Sequence, residues 1–387
     1  LQHNAKVLMG SATPSLESYW NATHGRYGLV ELNHRHGSAV LPNIIVVDTL
    51  RERRKKLMQQ CFSQTLLSYI DAALTDNKQV ILFQNRRGYS PYLECSECGY
   101  VPKCKHCDVG LTYHKGINRL VCHYCGYSTS VIDHCDHCHQ STMRMTGYGT
   151  EGIEDELKQI FPQAVVARLD TDTTRSKTGG DHIIRDFQER NIDILIGTQM
   201  VSKGLDFDHV SVVGILNAYS MLSFPDFRAY ERSYQLMAQV SGRAGRKDTP
   251  GTVIIQTANP ENQIIKQVVD NDYKAMYQTQ MQERTAFFYP PVSRIVSLTL
   301  KHHQRQMVEQ GAAQLFDMIS QIDGLQILGP TTPAINRIQN QYLKNILLKL
   351  SKTDSLKTKQ MLQNIIDSFL QMPQYKNITI VPNVDPF

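Results

Sequence analysis

Eight of the nine cysteines in the 387-residue chain fall between Cys95 and Cys138, as four C-x-x-C pairs: Cys95 and Cys98, Cys104 and Cys107, Cys122 and Cys125, Cys135 and Cys138. Two thiolates so spaced converge on one cation at about 2.3 Å, and two such pairs complete a tetrahedral structural zinc site. Four pairs therefore predict two zinc ions. An all-thiolate set leaves no open coordination position, so both zincs are expected to hold structure rather than perform catalysis. Gly99 and Gly126 directly follow their pairs, where the chain must turn tightly. Disulfides are the competing chemistry, and iron–sulfur ligation a weaker one, but reduced thiols at this spacing point to metal. With eight thiolates present, His106, His123, His134, His137 and His139 are read as solvated or hydrogen-bonding neighbours. Cys61 stands apart and reads as a small buried apolar residue.

A second group suggests phosphate chemistry. Ile196-Gly197-Thr198-Gln199-Met200 and Lys203-Gly204-Leu205-Asp206-Phe207 follow an apolar strand, and Gln239-Val240-Ser241-Gly242-Arg243-Ala244-Gly245-Arg246 closes a helical stretch. Arginines three residues apart share a helical face or its capping turn, where both forks can meet one triphosphate and stabilise the charge of phosphoryl transfer. Taken singly, Asp206 is as well a turn residue, Thr198 a strand-end hydroxyl, and Arg86 and Arg87 solvated loop charges. Within the cysteine segment, Tyr100, Lys103, Lys105, Tyr113, Lys115, Arg119 and Tyr124 interleave rings with cations that could stack on bases and meet phosphates, or simply form a basic knob.

The elements that must position these residues follow from periodicity. Short apolar runs at 80–83, 165–169, 192–196, 210–216 and 253–256 read as strands, with helical stretches at 62–73, 153–160, 182–189 and 227–240 between them. That alternation predicts an α/β fold with a parallel sheet buried on both faces. The cysteine segment has no helical period and reads as an insertion. Residues 21–61 read as a connector whose basic run, Arg51 to Lys56, is a solvated helix face. After Pro290 and Pro291, residues 292–387 read as a separate small α+β domain, with strands at 295–300, 345–350 and 378–381 and helices at 307–322 and 355–369. The net charge of +5, with 41% hydrophobic and 20% charged residues, is that of a globular chain and excludes disorder as the main state. It permits a polyanionic partner without demanding one. No run approaches the roughly 20 apolar residues of a membrane helix, and the first ten residues lack a signal-peptide layout, so a cytoplasmic setting without a membrane partner is expected.

In this order, Gly10 to Ser15, Asn85-Arg86-Arg87-Gly88-Tyr89, the four cysteine pairs, Gly149-Thr150-Glu151, Pro225-Asp226-Phe227-Arg228-Ala229 and the arginine segment resemble the bacterial primosomal replication restart helicases, within superfamily 2. The arginine segment alone would indicate only the superfamily; the cysteine insertion narrows it to this family. The resemblance implies a RecA-like helicase lobe at 62–290, an inserted double zinc-binding module at 95–138, the truncated end of a first lobe at 1–20, and the C-terminal α+β domain. It implies that Ser11, Ala12 and Thr13 couple the ATP site to unwinding, that Gly204 and Asp206 touch nucleotide, and that Gln239, Arg243 and Arg246 form the arginine-finger motif. Arg86, Arg87, Thr198 and Gln199 are the implied contacts to single-stranded DNA. Nested ligation is also implied: Cys95, Cys98, Cys135 and Cys138 for one zinc, Cys104, Cys107, Cys122 and Cys125 for the other.

The implied activity is ATP- and magnesium-dependent 3'–5' unwinding at stalled or abandoned forks, with primosome proteins and single-stranded DNA-binding protein as partners. The chain departs from the pattern in lacking a G-x-x-x-x-G-K-[ST] loop and an Asp-Glu-x-His box, so by itself it is expected not to hydrolyse ATP and to be the C-terminal portion of a longer protein. Tyr219 and the pair Leu343 and Lys344 also depart from the family's usual residues along the DNA path. The rival expectation is a non-catalytic zinc-dependent nucleic-acid-binding or scaffold protein with a degenerate motor lobe.

Overall fold

The computed structural model describes residues 6–32, 41–84, 92–95, 97–98, 100–114, 117–122, 124–141, 143–146, 150–170, 173, 179–198, 207–223, 226–245, 250–351 and 355–386. The chain divides into two compact units, Leu1–Tyr89 with Tyr148–Met281, and Ser90–Gly147 with Gln282–Phe387.

The first unit is built on six parallel strands in the order Asn43–Asp48, Thr252–Thr257, Val210–Ile215, Gln79–Phe83, Ile194–Gly197, Val166–Leu169. Gln79–Phe83, near the middle, is buried at every position, because helices must cover both faces of a parallel sheet. One of them, Gln64–Thr75, starts where Ser63 Oγ accepts from Leu66 N–H at 3.1 Å, and turns Leu66, Leu67, Ile70 and Ala73 inward. Two buried glutamines are tied to the backbone. Gln256 accepts from Ser63 N–H and donates to the Cys61 and Leu216 carbonyls; Gln79 donates to those of Phe187 and Ile192.

One expectation is corrected. Residues 21–61 are more than a connector, since Asn43–Asp48 forms the edge of the main sheet, pairing in parallel with Thr252–Thr257. Most of its positions are exposed or half-buried, so it lacks the fully buried signature of the central strands. The basic run does lie on a short helix, Thr49–Arg54, none of whose residues is buried.

In the second unit, residues 293–386 form an antiparallel sheet in the order Gln326–Thr331, Gln341–Ser351, Ser293–His302, Thr379–Val384, with Arg337–Ile338 also paired to Gln341–Ser351. The helices Arg305–Ile319 and Ser355–Gln371 supply Leu315 and Phe369 to a core shared with Leu298, Leu300, Ile346 and Leu348. The cysteine segment has only short strands: Tyr92–Cys95 pairs with Met143–Thr146, and Thr112–His114, Arg119–Val121 and Ser128–Ser130 make a small antiparallel sheet.

Candidate functional site

The helix Ala229–Ser241 carries the first half of the arginine segment, and a strap from the beginning of the chain runs against it. Gln239 Nε2 donates to Thr13 Oγ1 at 3.2 Å, and Gln235 Nε2 donates to the Pro14 carbonyl at 3.1 Å. One turn further back, Glu231 Oε1 accepts from Leu16 N–H at 2.9 Å, and Arg228 pairs with Glu17 at 3.1 Å. Positions 228, 231, 235 and 239 are spaced three and four apart, so they line one helical face. Residues 13–17 therefore run antiparallel to the helix along that face. The strap then becomes the helix Leu16–Thr23, whose N-cap is Ser15 and whose first free amide is the one that the buried Glu231 carboxylate receives.

The strap is fastened from a second side by Tyr273, whose hydroxyl donates to the Pro14 carbonyl at 3.0 Å. Burial, with the Glu231 carboxylate close by, pushes the Tyr273 hydroxyl well above the ordinary tyrosine range and keeps it a donor. Burial, reinforced by Asp272, likewise pushes neighbouring Tyr234 up to about 12.

Beyond Gln239 the same face continues to Arg243, four residues on, which is half-buried, its backbone still in a helical turn through Arg243 N–H to the Val240 carbonyl at 3.0 Å. The segment is then pinned, because Ala244 is buried and Gly245 N–H donates to the Val210 carbonyl at 3.0 Å. Gly251 packs so close to this segment that a Cβ there would collide with Gly245 N and Ala244. The structure thus brings Thr13, Gln239 and Arg243 to one helical stripe, with Ser11 and Ala12 exposed beside Thr13. Arg246, Gly204, Asp206, Arg86, Arg87 and Gln199 lie outside the described residues.

Thr198 is buried at the carboxyl end of Ile194–Gly197, where its N–H donates to the Leu169 carbonyl at 3.4 Å. Gln84 and Asp170, the residues following two other strands, are buried at the same carboxyl edge, the edge where open α/β sheets receive ligands. Asp170 accepts from Thr150 Oγ1 at 2.6 Å and from Thr173 N–H at 3.0 Å, and Arg168 reaches it, Glu151 and Glu154. Sequence reasoning did not single out Asp170, Glu231 or Gln235. The motif at Thr150 holds a partner of Asp170, and the motif from Gly10 to Ser15 holds Pro14, the partner of Gln235.

The cysteines gather into two sets, Cys95, Cys98, Cys135 and Cys138, and Cys104, Cys107, Cys122 and Cys125, with all sulfurs of a set within 4.8 Å of one another. Sulfur pairs stand at 3.5 Å for Cys95 and Cys138, 3.6 Å for Cys98 and Cys135, and 3.5 Å for Cys104 and Cys125. Tetrahedral bonds of about 2.3 Å separate ligand sulfurs by about 3.8 Å, so both sets fit zinc with little adjustment. Each pair uses the same turn. The first cysteine's N–H donates to the carbonyl five residues on: Cys95 to Tyr100, Cys104 to Val109, Cys122 to Tyr127 and Cys135 to Gln140. Gly126 takes the positive φ, 75°, that follows the Cys122 pair. Burial, and then the neighbouring Cys125 and Cys122, push the Cys104 thiol up to about 12, against the amide of His106. All nine cysteines are free of disulfides, and among the described residues His106, His134, His137 and His139 do not replace a cysteine in either set.

The helicase conserved C-terminal domain model matches residues 138–248, which hold three strands of this parallel sheet and the helix that ends in the arginine segment. The PriA DNA helicase Cys-rich region domain matches residues 104–129, and the primosomal protein N C-terminal domain matches 285–386. The replication restart protein PriA of Bacillus subtilis (strain 168) is 38% identical over 387 residues, 100% of this chain and 48% of its own length. That of Borreliella burgdorferi is 33% identical over 96% of this chain and 56% of its own, and that of Haemophilus influenzae 36% over 99% and 52%. The chain belongs to the PriA replication restart family. It spans about half the length of the curated relatives it matches. Among the described residues, no helix is long and apolar enough to cross a membrane.

Proposed function

We propose that this chain is the C-terminal part of an ATP-dependent 3'–5' DNA helicase that recognises stalled or abandoned replication forks and restarts replication by assembling a primosome. In this reading residues 62–290 are the second motor lobe, 95–138 the zinc-binding insertion, 292–387 a terminal domain, and 1–20 the end of a first lobe. ATP with Mg²⁺ is the substrate, held between the two lobes. Arg243 and Arg246 meet the charge that develops on the transferring phosphoryl group, with Gly204 and Asp206 beside the nucleotide. Lobe closure is passed to the strand through Ser11, Ala12 and Thr13, and the carboxyl-edge residues Thr198 and Gln199, with Arg86 and Arg87, follow single-stranded DNA. The zinc module grips or splits the duplex of a fork, and primosome and single-stranded DNA-binding proteins are the partners. Without a phosphate loop and acidic box, the chain by itself does not turn ATP over.

The observation that carries this reading is the hydrogen bond from Gln239 to Thr13, spanning 226 residues of sequence, which joins the proposed coupling motif to the helix that ends in the arginine segment. The test is DNA-stimulated ATP turnover by the complete protein. Arg243→Ala is expected to lower it by about a thousandfold or more, as loss of an arginine finger does. Unchanged turnover in a folded variant would overturn the assignment.

A further inference from the structure

The two cysteine sets differ in where their hydrogen-bond donors come from. In the set holding Cys135, the sulfur of that residue accepts from His137 N–H and Cys138 N–H, both at 3.4 Å and both within its own turn. In the other set, Cys104 accepts from its own turn through His106 N–H at 3.3 Å, but Cys107 Sγ accepts from Gln339 N–H at 3.3 Å, a donor 232 residues away in the C-terminal domain.

That amide sits at the tip of a hairpin. Arg337–Ile338 pairs with the beginning of Gln341–Ser351, and the turn between them places Gln339 and Asn340 at φ 50° and 61°. Two left-handed residues in succession make the tight hairpin turn that aims backbone amides outward from its end. The rest of the tip is fitted to the same knuckle. Asp108 N–H donates to the Arg337 carbonyl at 2.9 Å and Asn340 N–H donates to the His106 carbonyl at 2.8 Å. Arg337 Nε pairs with Asp108 Oδ1 at 3.2 Å, the Asn340 amide lies 3.1 Å from His106 Nδ1, and Ile338 packs on the cluster containing Cys104, Cys107 and Cys122. Three consecutive residues, His106, Cys107 and Asp108, are each bonded to the hairpin.

We propose that the hairpin tip, Arg337 to Asn340, is part of the Cys104, Cys107, Cys122 and Cys125 metal site, so that zinc retention there and seating of the hairpin depend on each other, a coupling the hairpin does not extend to the Cys95, Cys98, Cys135 and Cys138 site. An amide aimed at a thiolate stabilises the anionic, metal-binding form of the sulfur, and such outer hydrogen bonds are worth about 10- to 100-fold in metal affinity. Because the coupling is a free energy, it acts in both directions.

The inference rests on the two-zinc reading, and the experiment separates the two. Metal content of the purified protein is measured first, and a value other than two zincs per chain overturns the reading itself. The protein is then challenged with a chelator while freed thiols are alkylated and mapped. In the double variant Arg337→Ala, Asn340→Gly, which removes both side-chain contacts and suits the positive φ at 340, Cys104, Cys107, Cys122 and Cys125 are expected to become labelled about tenfold faster than in the parent, and Cys95, Cys98, Cys135 and Cys138 at the parent's rate. Gln339→Gly, which keeps the amide and suits the positive φ, is expected to label as the parent does. In the reverse direction, chelation of the parent protein is expected to raise hydrogen exchange at residues 337–341. With two zincs present, equal labelling of variant and parent, acceleration of both sets together, or hairpin exchange indifferent to chelation would each overturn the coupling.

Discussion

In the parallel-sheet unit, Val80, Ile81, Leu82 and Phe83 are each fully buried, and Val80 and Leu82 share one core with Leu66, Ile70, Ile194, Ile196 and Val212. The zinc module has far less to bury. Its buried aliphatic side chains among the described residues are Leu93, Leu111 and Leu120, set among the cysteines, with Val109, Tyr113, Tyr127 and Ile338 only partly buried against them. Each fully buried aliphatic side chain contributes about 1.5–3 kcal/mol, so three leucines cannot offset the ordering of this many residues, whereas the sheet's interior can. The module replaces missing apolar area with metal–sulfur bonds, and four copies of one turn supply them. An apolar interior tolerates partial loss, but a ligand set does not.

That difference is broken most directly through Cys122→Ser. Structural zinc sites carry apparent binding free energies of about 10–16 kcal/mol, so the variant should lose one zinc and hydrogen-exchange protection around residues 104–130. The amides of Gln79–Phe83 and Val210–Ile215 should keep theirs; if they lose protection too, the two regions are not held independently. The converse, Leu82→Ala, should cost about 2–5 kcal/mol in the unfolding transition of the sheet unit while the metal content stays at two.

The smallest effect concerns the strap, which joins one buried side chain, Leu16, to a row of hydrogen bonds. Tyr273→Phe removes one of them and should cost about 1 kcal/mol, read as faster proteolysis within residues 11–24. The folded protein holds the Tyr273 hydroxyl above the ordinary range, so this contribution is fully present below about pH 10 and is lost as pH rises above it. An alkaline loosening of the strap should therefore be present in the parent and absent in Tyr273→Phe.

Most of the sheet was legible because a strand buried on both faces must be apolar throughout. The runs at 80–83 and 210–216 became Gln79–Phe83 and Val210–Ile215 with ends moved by a residue, and the helix expected at 227–240 is Ala229–Ser241. Elements that bury only part of a face were harder. Asn43–Asp48 is an edge strand, Gln326–Thr331 has no buried position, and Tyr273–Ala286 has a weakly patterned apolar side, and none was placed in advance. In the candidate site, Thr13, Gln239 and Arg243 were legible as motif residues, and the structure brings them to one stripe. Glu231, Gln235 and Asp170 were not legible, since a carboxylate that accepts a backbone N–H, or a side-chain amide that donates to a backbone carbonyl, looks in sequence like any surface polar residue.

From residue types alone came the four metal-binding turns, since a C-x-x-C turn is local chemistry, and the alternating strands and helices, since periodicity is a property of neighbours along the chain. Folding alone decided which turns share a metal and which strand takes the sheet's edge. It also set Pro14 beneath Gln235 and Tyr273, and Gln339 above Cys107. Those partners lie hundreds of residues apart and meet through backbone amides and carbonyls, groups that every residue carries and that leave no mark in a sequence.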